Sequence, residues 1–220
     1  MGLKDHLSTS GIKDSKGYEA LRTRLDDLGC SVEFLVMDVA SHVSVDETLH
    51  RRILSELYDR IIDDQRKWHR KVFEALPPAN YSEPTMLWNV VRASGHALSS
   101  DAIFSFHQTE SLSDARPSLY EDFCNSLYLG KQRIERAEIQ SLFSDWLDGL
   151  GIRDQSGIVV LDWTDAFELP ASNDTAFGFS TTWTGFFCRG SLHQHGRCLT
   201  IWNPVCRTLA ALAICSPIHE

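Results

Sequence analysis

From Ser44 to Leu76 the chain reads SVDETLHRRILSELYDRIIDDQRKWHRKVFEAL. Leu49, Ile53, Leu57, Ile61, Trp68, Val72 and Phe73 recur at the three- and four-residue spacing that lines one face of an α-helix, and Leu54, Tyr58 and Ile62 widen the stripe. Ser44 followed three residues later by Glu47 is the signature of a capping box, in which the hydroxyl accepts from an orphan amide and the carboxylate reaches back to the cap. Glu56 with Arg60 and Asp63 with Lys67 support the exposed side at i,i+4. Pro77 and Pro78 end the run by removing amide donors and by excluding the preceding residue from helical geometry. The prediction is one helix over about 45–76, roughly 48 Å long, which serves as the spine of the fold.

Outward from this helix, the start through Lys16 is polar and is expected to be loose at its end. Leu21, Leu25 and Leu28 predict a short helix closed by Gly29, and residues 31–37 (SVEFLVM) read as a strand. Downstream, Met86 to Leu98 reads as helix and Ala102 to His107 (AIFSFH) alternates like a strand. Ser118 precedes a helix carrying Leu119, Phe123 and Leu127. A second helical stripe runs from Ile134 through Ile139, Leu142, Phe143, Trp146 and Leu147 to the stop at Gly149 and Gly151.

From Gly157 the period changes to two. Strands are predicted at Ile158–Trp163, Ala176–Cys188, Cys198–Trp202 and Arg207–Cys215, with a bulge at Gly185 and a loop over Arg189–Arg197. Residues 155–220 carry only eight charges, the composition of a buried sheet. The expected fold is α+β in a single domain: a mainly helical part over residues 1–154 packed on an antiparallel meander over about 157–215.

The chain has 220 residues, 43% hydrophobic and 23% charged, which excludes disordered, collagenous and disulfide-scaffold classes. No apolar run is long enough to cross a bilayer. Met1–His6 carries no apolar signal core, and His6 stands where a myristoylation signal needs Ser or Thr, so a soluble cytoplasmic protein is expected. Cys30, Cys124, Cys188, Cys198, Cys206 and Cys215 are accordingly expected as thiols. A net charge of -9 makes nucleic acid a poor partner and a basic protein surface a good one.

The stretch with most chemistry runs from Cys188 through His193 and His195 to Cys198. Thiolate and imidazole are zinc's preferred ligands, so these four residues form a candidate metal set. The C-x4-H-x-H-x2-C pattern lacks the usual Cys-x2-4-Cys hook, and the expectation is no bound zinc and no cofactor, with the histidines at the tip of an exposed turn. The alternative catalytic arrangement takes Cys188 or Cys198 as nucleophile, His193 or His195 as base and Asp162 as the orienting carboxylate. Asp162 to Asp165 reads equally as a turn with local side-chain to backbone bonds.

Glu47 and His50 have the E-x-x-H spacing of di-iron bundles, but no second such pair exists, so Glu47 is assigned to the cap and His50 to the solvated face. Arg66-Lys-Trp-His-Arg-Lys71 is a basic run with an aromatic inside it. Helical phase sends Trp68 to the apolar stripe and the cations to solvent. No G-x-S-x-G elbow, P-loop or dinucleotide fingerprint is present. The functional expectation is therefore an acidic protein-binding module of the neutralising or adaptor kind, acting on a basic partner. A hydrolase built on the Cys188–Cys198 loop is the alternative, and a nucleic-acid binder using Arg66–Lys71 a third reading.

Overall fold

The computed structural model describes residues 12–14, 18–30, 32–73, 89–108, 118–127, 134–152, 157–164 and 194–217. Their elements are β1 (Ile12–Asp14), α1 (Glu19–Asp27), β2 (Val32–Val39), α2 (Glu47–Phe73), β3 (His96–Ala97), α3 (Ser100–Phe104), α4 (Leu119–Ser126), α5 (Arg136–Gly149), β4 (Val159–Asp162), β5 (Gln194–Asn203) and β6 (Thr208–Pro217). The fold is α+β, with one antiparallel sheet ordered β1-β2-β6-β5-β4-β3. The strand from the helical part of the chain thus joins the C-terminal strands, β2 lying along β6 from Val32↔Ile214 to Asp38↔Thr208.

Helices cover both faces. Leu35, Met37 and Val39 of β2 and Leu209, Ala211 and Ala213 of β6 pack with Leu49, Ile53, Leu57 and Ile61 of α2. The alternate residues Phe34, Val36, Ala210, Leu212 and Ile214 pack with Leu25 of α1, Phe123 of α4 and Phe143 and Trp146 of α5. A strand buried on both sides has no polar face, which is why Phe34–Met37 of β2 and Leu209–Ile214 of β6 read as continuous apolar runs although their sheet is antiparallel.

The helix ends show what the sequence sets locally. Gly29, at φ +66°, lets Cys30 donate to the Leu25 carbonyl and Gly29 to that of Asp26, the paired bonds of a Schellman stop. At the start of α2 the cap is Asp46 rather than Ser44: Asp46 Oδ1 accepts from Leu49 N at 3.0 Å, and Glu47 instead pairs with Arg51 at 2.6 Å. Val43 and Val45 pack against the core, and the chain turns into the helix only after them.

Three further expectations change. Ala102–His107 is α3 followed by a 3-10 turn over Ser105–His107, capped by Ser99 Oγ accepting from Ala102 N. The buried spacing there is the three residues between Ile103 and Phe106, not the alternation, and Phe104 faces solvent. Val90–Arg92 is a single 3-10 turn instead of part of a helix, and His96–Ala97 pairs with β4. Between them Gly95 lies against the Trp163 indole, which a Cβ would meet at 2.8 Å. Finally, α2 outruns the sheet. Its 27 residues span about 40 Å against about 27 Å for the eight residues of β2, so the stripe is buried through Ile61 and Ile62 whereas Trp68 and Val72 are 60% and 47% exposed.

The expected strand at Ala176–Cys188 and the bulge at Gly185 lie outside the described residues. The turn joining β5 to β6 is held by Asn203, whose Oδ1 accepts from Val205 N and Cys206 N at 2.9 Å and whose Nδ2 donates to the Gly151 carbonyl. Arg207 closes that turn at φ +53°. Its Nε donates to the Val39 carbonyl at 2.9 Å, and its guanidinium lies 5.3 Å from the Trp202 ring centroid, tying the hairpin to the end of β2.

Candidate functional site

β1 covers only Met37–Val39 of β2, and beyond it Arg22 of α1 donates to the Phe34 carbonyl at 2.9 Å. Here α1 and α2, on opposite faces of the sheet, come within reach of each other. Glu19 of α1 takes Arg22 at 3.0 Å and Arg60 of α2 at 3.3 Å on the same oxygen. Around this bridge stand the carboxylates of Asp26 and Asp27 at the end of α1 and of Glu56, Asp59, Asp63 and Asp64 on the outer side of α2.

They act on one another. Partial burial raises the Asp26 carboxyl, and the charges of Asp64 and Asp27 raise it further against the opposing effect of Arg22. Burial and then Asp63 raise Asp59, and burial and then Asp59 raise Glu56. Arg66 lies 3.9 Å from Asp63 and Lys67 2.7 Å from Asp64, which offsets part of this potential. The result is a ridge of mutually repelling carboxylates crossing from one helix to the other.

Comparison with protein-family models, with curated proteins and with solved structures gave no match.

Two buried polar clusters lie further into the sheet, at β5. On the α2 side, His50 is 3% exposed rather than on the solvated face. Once Asp46 starts the helix, His50 falls in line with Ile53, Leu54 and Leu57. Its Nδ1 is 2.7 Å from Thr200 Oγ1, which also accepts from Trp163 Nε1 at 2.8 Å. Burial lowers the imidazole to about 4, so the ring is neutral at pH 7 and unsuited to general-base work there. Arg51 lies 5.0 Å from the Trp163 ring centroid and donates to the Val90 and Ala93 carbonyls. On the other face, Asp122 of α4 and Arg197 of β5 form a buried ion pair.

The residues singled out by sequence are distributed as follows. Cys188 and His193 lie outside the described residues. His195 belongs to β5, opposite Ser216, so it is in the ladder rather than at a turn tip. Cys198 is wholly buried on the α2 side, while Asp162, paired with Leu199, shares the opposite face with Val160. The structure therefore does not bring Asp162 and Cys198 onto one side of the sheet. Asp162 Oδ1 instead accepts from Thr164 N at 2.9 Å, the local turn that its sequence also allowed. Cys30, Cys124, Cys198 and Cys206 take part in no disulfide among the described residues. Burial pushes Cys30 up to about 12, far from a nucleophile's range.

Sequence reading missed Asp122 and Arg197, although a signal existed. Asp122 adjoins Phe123 three residues after Leu119, and Arg197 stands two residues before Leu199, so both periods point these charges inward. Among the described residues, no group of His, Cys, Asp and Glu is arranged to hold a metal ion, and no helix is long and apolar enough to cross a membrane.

Proposed function

We propose that this chain is an acidic protein-binding module, of the neutralising or adaptor type, that receives a basic protein surface on the α1–α2 ridge. The observation that carries the reading is geometric: the Glu19–Arg60 contact at 3.3 Å joins α1 to α2 and sets Asp26 and Asp27, at the end of α1, alongside the outer carboxylates of α2, Asp59, Asp63 and Asp64. Like charges held together oppose folding. A partner's lysines and arginines relieve that repulsion, and the field of the ridge steers their approach.

The test compares the wild-type chain with an Asp26→Asn, Asp27→Asn, Asp59→Asn variant as bait in its native cell, followed by association kinetics with any basic protein recovered. The reading expects a partner that the variant loses and whose association rate falls steeply with salt, since screening reduces the reach of the field to about 8 Å at physiological ionic strength. A partner bound equally by both baits would overturn it. So would turnover of a small substrate that disappears in Cys188→Ala while no salt-sensitive partner is found.

A further inference from the structure

Beyond Ile62, α2 leaves the core. Every residue described from Asp63 to Val72 is exposed or half-buried, yet this segment carries a tryptophan and a valine at i,i+4 that are 60% and 47% exposed. On a helix Asp64 lies one turn before Trp68, and Lys71 and Val72 one turn after it, so the four form a single outward stripe. We propose that this stripe is a self-association surface on which α2 packs antiparallel against α2 of a second copy of this chain.

The charge pattern selects that occupant and that direction. The segment is acidic at its N-terminal side, through Asp59, Asp63 and Asp64, and basic at its C-terminal side, through Lys67 and Lys71. A two-fold axis near Trp68 brings residues of complementary position together. Trp68 meets the partner's Trp68, Asp64 meets Lys71 of the partner subunit, and the symmetry repeats that ion pair on the other side. A parallel pairing sets acid on acid and base on base, and it also aligns the helix dipoles unfavourably. A purely basic partner meets Lys67 and Lys71 beside the indole, and a phosphate backbone meets Asp63 and Asp64. Only a surface with the same polarity, run backwards, satisfies both ends. Burying two indoles and two valines supplies the apolar centre, with charges at the rim.

This surface shares Asp64 with the ridge, but its anchor, Trp68, and its cation, Lys71, take no part there, so Trp68→Ala tests the stripe while leaving every ridge carboxylate in place. The test is sedimentation of the full chain across micromolar concentrations, beside a protomer mass of 24.9 kDa. The proposal expects the mass to rise toward two protomers and to stay at one in Trp68→Ala, a surface change whose fold circular dichroism checks. Asp64→Lys and Lys71→Asp should each weaken the dimer about tenfold, and the double variant Asp64→Lys, Lys71→Asp should restore it. A wild-type chain that stays monomeric throughout overturns the proposal, as does a dimer indifferent to Trp68→Ala. Charge reversals that add instead of compensating overturn it too. So does a monomer that binds random single-stranded RNA through Lys71 in a salt-dependent way, which assigns the stripe to nucleic acid.

Discussion

His50 in the first turn of α2 and Thr200 in the middle of β5 are joined inside the apolar layer, Nδ1 to Oγ1 at 2.7 Å. The Thr200 oxygen also accepts the Trp163 indole proton at 2.8 Å, so one hydroxyl on β5 holds both the imidazole of α2 and the indole that follows β4. The pair is a hydrogen-bonded strut between helix and sheet.

A pH dependence follows from it. The folded-state value of His50, about 4, lies below its ordinary value of 6.5, so the unfolded chain takes up the proton first. The stability contributed by neutral His50 is complete above about pH 6.5 and is lost as pH falls toward 4, by about 2–3 kcal/mol. Urea denaturation of wild type and His50→Asn between pH 7 and pH 4.5 checks this. The asparagine keeps an acceptor for Thr200 and does not titrate, so its curve should be flatter through that window. Equal slopes would show that His50 protonation is not coupled to folding.

Two positions on one helix should respond in opposite ways. Leu57 is wholly buried between α2 and the sheet, and Leu57→Ala should cost about 2–5 kcal/mol through lost transfer energy and the cavity left behind. Trp68→Ala, at the exposed end, should change the stability of the protomer by no more than about 0.5 kcal/mol. Chemical denaturation at low protein concentration separates the two.

The two S-x-x-E signatures should prove unequal. At Ser118 both bonds of the capping box are made, Ser118 Oγ accepting from Glu121 N at 3.1 Å and Glu121 accepting from Ser118 N at 2.6 Å. Ser118→Ala should cost about 1 kcal/mol. At the start of α2 the same cost should belong to Asp46→Ala, with Ser44→Ala nearly silent, as read from melting temperatures of the three variants.

Asp122 and Arg197 should be costly to separate and cheap to replace together. Arg197→Met leaves a buried carboxylate uncompensated and should cost about 3–5 kcal/mol. Asp122→Leu combined with Arg197→Met removes both charges and should recover most of that loss. A double variant no more stable than the single one would count against a simple ion pair. It would place the value of these charges in their other neighbours.

The features legible in the sequence are those set over a few residues. The helical stripe from Leu49 to Ile61, the Gly29 stop, the stripe of α5 and the apolar runs of β5 and β6 each depend on local spacing and chain stiffness, and they stand close to where periodicity put them. The α+β class follows from the change of period near Gly157. Tertiary structure decided what no period contains. Whether Trp68 is core or surface depends on where the sheet ends beneath α2, which is a property of other segments. His50 is buried because Thr200, 150 residues away, gives its imidazole a partner. The partnership of β2 with β6 is likewise set by two-sided burial, and the ridge exists because α1 and α2, from opposite faces, meet where β1 stops. Contacts at such separations are selected by packing and by the hydrogen-bond needs of buried groups, and a one-dimensional pattern does not encode which distant residue will supply them.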